Sequence, residues 1–190
     1  MIKEHAPVRI LAVSGSLRTA SSNTALVQAV AKLAPEGVKV SIFNALAEIP
    51  PFNPDLDSDV PPPSVLRFRA ELDACDAVLI SSPEYAHGVP GTLKNALDWV
   101  VASGELIAKP IALINASPRS THAQASLTET LRTMSATVIT EASITLPLGG
   151  RSLDACGIVA DCDLSGALRR AVAALARAEA SGRFNVAETD

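Results

Sequence analysis

Ser81-Ser-Pro-Glu-Tyr-Ala-His-Gly-Val-Pro-Gly-Thr-Leu-Lys-Asn-Ala-Leu-Asp-Trp99 runs from the end of an apolar strand, through a compact polar turn, into a helix. Pro90 suits a first helical turn, where its missing N–H has no partner to lose. Leu93, Leu97 and Val100 follow at helical spacing. Just upstream, residues 76–82 form an almost unbroken apolar run. Such a run is expected of a parallel strand covered by helices on both faces. The junction exposes backbone N–H and C=O groups that can meet the polar edge of a flat ligand; taken alone it is equally an ordinary loop.

The same alternation continues in both directions. Residues 8–14 form a first apolar strand, followed by a helix from about residue 24 with Leu26, Val27, Val30 and Leu33 on one face. A second strand spans 38–43, and a Pro- and Asp-rich excursion of irregular character spans 50–63. Val65, Phe68 and Leu72 mark a short helix before the strand at 76–82. A fourth strand is expected at 110–116, a helix through Leu127, Leu131 and Met134, and a fifth strand over 137–146. Leu164, Leu168, Val172 and Leu175 define the last helix, and residues 181–190 read as a loosely held tail. Five βα units with right-handed crossovers predict an α/β fold, a three-layer α/β/α sandwich. The expected sheet is five-stranded, parallel and flavodoxin-like, in the order 2-1-3-4-5. Residues 1–190 read as one domain with an ordered core at about 8–178.

Composition narrows the possible functions. The hydrophobic share of 48% can fill a sizeable core, and the charged share is 19%, below the ~25% usual for soluble domains. That deficit points to surface covered by a partner subunit. A net charge of −4 without a basic stripe argues against nucleic acid as a partner. No run approaches ~18 apolar residues, and residues 1–9 hold no apolar leader core, so the expectation is a cytoplasmic protein with no membrane partner. Cys75, Cys156 and Cys162 form no CxxC, and the reading is buried or incidental thiols. Three scattered histidines, His5, His87 and His122, indicate no metal site, and His87 is read as lining the site or touching a subunit. Trp99 is read as a packing residue, at a subunit interface or within the fold.

In open α/β sheets, ligands bind beyond the carboxyl ends of the strands where strand order reverses, here between strands 1 and 3. The polar loops after strands 1, 3 and 4 converge on that crevice. The first, Ser14-Gly-Ser-Leu-Arg-Thr-Ala-Ser-Ser-Asn-Thr24, is rich in hydroxyls and precedes a helix N-terminus. Backbone N–H groups and the helix dipole favour an anion there, with Ser16, Ser21, Asn23 and Arg18 as further donors. The alternative is that these residues only cap the helix. Neither a G-x-G-x-x-G nor a Walker A spacing is present, so a mononucleotide fits better than a dinucleotide. Glu84 is either a ligand acceptor or a surface charge, and Tyr85 either stacks on a ring or shields the turn. Arg119 either attracts a nucleotide phosphate or is solvated.

Gly15-Ser-Leu-Arg-x-x-Ser-x-Asn23 and Pro83-Glu-Tyr-x-x-x-x-Pro-Gly-x-Leu-Lys-Asn-Ala-x-Asp98 resemble the signatures of the NADPH-dependent FMN reductase family, which includes quinone, azo-dye and chromate reductases. The resemblance extends over roughly 8–175. It implies a flavodoxin-like fold that binds FMN non-covalently, with Ser16, Arg18, Ser21 and Asn23 on the phosphate. Pro83, Glu84 and Tyr85 would line the ring, and Ser117 would approach it from the other side. It also implies a homodimer or homotetramer. The third loop departs from the pattern: Ser117-Pro118 is followed by Arg-Ser-Thr-His-Ala-Gln, shorter and without glycine.

The activity these features imply is a two-step exchange. NADPH or NADH delivers hydride to FMN, leaves, and a small-molecule electron acceptor such as a quinone, azo compound, free flavin or chromate takes the electrons. The cofactor supplies the chemistry, so no side chain is assigned a catalytic role. The competing expectation is a flavodoxin-like electron carrier or redox-responsive FMN-binding module without direct NAD(P)H turnover.

Overall fold

In the computed structural model, residues 6–148 and 151–186 are described. The order is β1 (Val8–Ser14), α1 (Ser22–Leu33), β2 (Val38–Phe43), α2 (Pro63–Ala74), β3 (Ala77–Ser81), α3 (Gly91–Asp98) and β4 (Pro110–Asn115). There follow α4 (Thr121–Thr133), β5 (Thr137–Val138), β6 (Ile144–Thr145), α5 (Ala155–Ala160) and α6 (Cys162–Val186). The sheet is parallel throughout and ordered β2-β1-β3-β4-β5, with β6 also paired to β4. The expected order is borne out.

Strand alternation sorts the core into two layers. Leu11, Val13, Val78, Ile80, Ile111 and Leu113 face α2, α3 and α4, where Phe68, Leu72, Trp99 and Leu127 meet them. Ile10, Ala12, Leu79, Ala112 and Ile114 face α1 and α6, against Leu26, Val30, Leu168 and Val172. Both faces of β3 are therefore buried, which is why its sequence carries no polar alternation.

Three elements differ from the sequence reading. The single fifth strand expected over 137–146 is two short ladders separated by a 3-10 turn at Thr140–Ala142. Val138 pairs with Ile111 and Ile144 with Ile114, so six steps on the edge chain oppose three on β4. The surplus residues loop out, and Ser143 Oγ accepts the Leu113 N–H at 3.1 Å that the interrupted ladder leaves over. The short helix α5 was not expected. Asp154 caps it by accepting the Gly157 N–H at 2.8 Å, and the residue spacing is too short to register as periodicity. The segment read as a tail from residue 181 continues helix α6 to Val186, and residues 187–190 lie outside the described chain.

The excursion at 50–63 is held by side chains of α3 and its C-cap. Asn95 Oδ1 accepts the Phe52 N–H at 2.7 Å, while its Nδ2 donates to the Pro50 carbonyl at 2.9 Å. Trp99 Nε1 donates to the same carbonyl at 2.8 Å, and its ring meets Phe52 edge-on at 5.1 Å. Trp99 is fully buried, so it packs inside its own chain and is not an interface residue. Arg69 pairs with Asp57 at 2.8 Å and reaches the Trp99 carbonyl, closing the far end of the strap.

Two outcomes follow from this packing. Asn95→Ala leaves the Phe52 N–H and the Pro50 segment without their anchor and should lower the unfolding free energy by about 1–3 kcal/mol, read by urea denaturation. Cys75 is buried and donates to the Leu72 carbonyl at 3.1 Å, and burial raises its thiol pKa, whereas Cys156 and Cys162 are exposed. A chromogenic thiol reagent should therefore titrate two thiols rapidly in the native chain and the third only on unfolding; three fast thiols would contradict this burial.

Candidate cofactor site

The carboxyl ends of β1, β3 and β4 carry the three polar loops, and short contacts lock the loops to one another. Gly15 N–H extends the β1 ladder by donating to the Ser81 carbonyl at 2.8 Å. A Cβ on Gly15 would lie 2.6 Å from Ser82 Oγ and 3.0 Å from Leu93 Cδ2, so a side chain there would force Ser82 to shift. Ser81 Oγ donates to Asn23 Oδ1 at 2.9 Å, with both residues buried. Within the first loop, Ser21 caps α1 by accepting the Thr24 N–H, and Ser16 Oγ accepts the Arg18 N–H at 3.3 Å. Capping and ligand binding therefore compete only for Ser21; Arg18 has no side-chain partner among the described residues.

The second loop folds into a two-residue reverse turn. Tyr85 and Gly88 exchange backbone hydrogen bonds at 3.1 and 2.9 Å around Ala86 and His87. Both central residues have positive φ, 49° and 61°, the requirement of a primed hairpin turn. Non-glycine residues there are strained, and such strain persists where the surroundings over-determine it. Here the surroundings are α4. Glu84 Oε2 accepts the Ala123 N–H at 2.8 Å, supplying the cap that Ser120 does not provide to that helix. His87 stacks on His122, ring centroids 4.2 Å apart and 6° from parallel. The sequence reading treats these histidines as belonging to unrelated loops; the fold pairs them.

The glycine-free third loop is a compact turn pinned by a buried asparagine. Asn115 Nδ2 donates to the Ser120 carbonyl at 3.0 Å, and its Oδ1 accepts the Ser117 N–H at 3.0 Å. The three loops enclose a crevice of about 530 Å³ that Asn23, Pro83, Glu84 and Ser117 help to line. Arg18 and Ser21 line an adjoining cavity of about 440 Å³, which shares Ser22 with the first. Ser16 is buried within the first loop and Tyr85 is exposed, and neither lines these two cavities. Two neighbouring cavities at the switch point, one offering hydroxyls and a cation, the other Asn23, Glu84 and Ser117, suit a phosphorylated planar molecule. Leu148 and Arg151, which line these cavities from the segment after β6, were missed because no motif marks them.

Comparison with known proteins agrees with this geometry. The family model described as NADPH-dependent FMN reductase matches residues 8–150. An NAD(P)H-dependent FMN reductase of Pseudomonas aeruginosa is 38% identical over 112 residues, covering 58% of this chain and 60% of that protein. A quinone reductase of Pseudomonas putida is 37% identical over 112 residues, covering 57% and 60%. The chain thus aligns with about 60% of the length of these relatives. Among solved structures, FerB, a flavoenzyme NAD(P)H:(acceptor) oxidoreductase from Paracoccus denitrificans, superposes with a TM-score of 0.73 at 28% identity, over 92% of this chain and 98% of that one. Matched over most of its length, the chain belongs to the NADPH-dependent FMN reductase family.

Proposed function

We propose that this chain is an FMN-dependent NAD(P)H oxidoreductase acting on a small-molecule acceptor of the quinone type. The observation that carries the reading is the three-loop crevice at the β1/β3 switch point, with the phosphate-type loop joined to β3 through the buried Asn23–Ser81 bond. The residues fit the cofactor: Ser16, Arg18, Ser21 and Asn23 would hold the phosphate, and Pro83, Glu84, Tyr85 and Ser117 would flank the ring. Bound FMN would supply a redox centre that takes hydride from a reduced nicotinamide and returns two electrons to the acceptor.

The chain's own residues position and shield. Glu84 keeps the ring loop against α4 through the Ala123 N–H, and the strained Ala86–His87 turn holds Tyr85 at the open side. The chain has one Trp and one Tyr, and the Trp is buried. Aromatic cover of a ring is thus sparse, which favours a site open to a second substrate over a shielded electron carrier. We propose a homodimer or homotetramer, supported by the exposed apolar side chains Leu17, Tyr85, Val101 and Ile107. Unpaired cysteines support residence in the reducing cytoplasm. Among the described residues, no helix is long and apolar enough to cross a membrane.

Protein loaded with FMN should show a flavin band that bleaches when NADPH is added anaerobically, and a quinone should restore it. Flavin bound without NAD(P)H turnover would mean a carrier; protein that takes up no FMN would overturn the reading altogether. Gly15→Ala should weaken FMN binding at least about tenfold, because the added Cβ pushes Ser82 away from β1, at a folding cost of about 1–3 kcal/mol. Fluorescence titration with FMN and a thermal melt separate the two effects.

A further inference from the structure

Arg151 lies just past the segment that the family model matches, and no loop signature includes it. It nevertheless lines the same cavity of about 440 Å³ as Arg18, Ser21, Ser22 and Gln28. That volume is in the range of small-molecule sites. We propose that Arg151 is the second cation of a phosphomonoester site, closing the outer side of the first loop opposite Arg18. This inference rests on the reading of the chain as a flavin- and nicotinamide-binding protein.

The position of Arg151 is set by a fixed anion. Its Nη2 donates to Asp161 Oδ2 at 2.9 Å. Asp161 is in turn anchored at the start of α6, where its Oδ1 accepts the Leu164 N–H at 3.1 Å and the Asp163 N–H at 3.2 Å. Those contacts, the Leu164 N–H first, hold the Asp161 carboxyl below its ordinary pKa, so it stays charged as a tether. A guanidinium carries five N–H donors, and Asp161 is the sole acceptor for the Arg151 guanidinium among the described residues. Its remaining donors are available to a ligand. The carboxylate on the cavity wall, Asp154, is engaged at the Gly157 N–H as the cap of α5.

Two guanidiniums beside serine hydroxyls match a dianion better than a monoanion, since each can give charge-assisted hydrogen bonds to separate oxygens. A terminal phosphomonoester has that charge. Two sources offer it: the 5′-phosphate of FMN, and the 2′-phosphate that distinguishes NADPH from NADH. Asp161 acts through Arg151 and is a positioning residue.

The test measures dissociation constants of the full-length protein for FMN against riboflavin, by flavin fluorescence, and for NADPH against NADH, by competition. Arg151→Gln should lose about tenfold or more of the preference for the phosphorylated member of one pair while leaving the dephosphorylated member unchanged. A lost FMN-over-riboflavin ratio assigns the site to the flavin phosphate; a lost NADPH-over-NADH ratio assigns it to the 2′-phosphate. Arg151→Lys should recover part of the ratio, and Asp161→Asn should show a smaller loss in the same pair. Wild-type ratios for both pairs in Arg151→Gln would overturn the inference and leave the proposed function intact. If the wild-type protein takes up no flavin, that function fails, and inorganic phosphate still decides this point. Phosphate should then raise the melting temperature of wild type and not of Arg151→Gln; equal shifts would sink the inference.

Discussion

Everything at the carboxyl end of this sheet depends on how closely β1 and β3 approach each other. The Gly15 N–H reaches the Ser81 carbonyl one residue beyond the paired strands, and a side chain at position 15 would have to displace Ser82. Ser81 is gripped a second time, by Asn23 from the first turn of α1. Its backbone and side chain are thus both tied to the first loop, in a place sealed from water. A buried hydroxyl and amide that satisfy each other are costly to separate, so the spacing between the two loops is a property of the core rather than of the surface.

The second and third loops are coupled by different chemistry. An exposed helix start needs acceptors for its free N–H groups, and α4 obtains one from Glu84, which lies in the loop after β3. A carboxylate at a helix N-terminus also meets the positive end of the helix dipole. That clamp and the His87–His122 stack explain how two non-glycine residues remain at positive φ in the turn between them. The loops therefore form a preorganised set, which lowers the ordering cost of binding any ligand between them.

The elements that were legible in the sequence are those whose cause is local. Apolar runs at residues 8–14 and 110–116 and helical spacing through Leu26, Val30 and Leu33 report burial directly. The strand order and the crevice followed from them through topology. Less legible was the fifth strand, because its interruption depends on how many residues β4 can oppose, and nothing in residues 137–146 states that number. The short α5 was hidden for a related reason: a six-residue helix has too few turns to show a period.

For the site, the residues of the loops pointed to Asn23, Pro83 and Glu84, and the family resemblance added Ser117; all four line the crevice. Their partners were beyond its reach. Glu84 and Ala123 are 39 residues apart, and Arg151 sits in an unremarkable segment after β6. By itself the sequence determined the βα alternation, the parallel order and the chemistry of the loops, because periodicity and turn residues act over a few positions. Only the tertiary structure decided which N–H Glu84 caps, that His87 meets His122, and that Arg151 lines the same cavity as Arg18. Those contacts join segments brought together by sheet order, and no local preference encodes them.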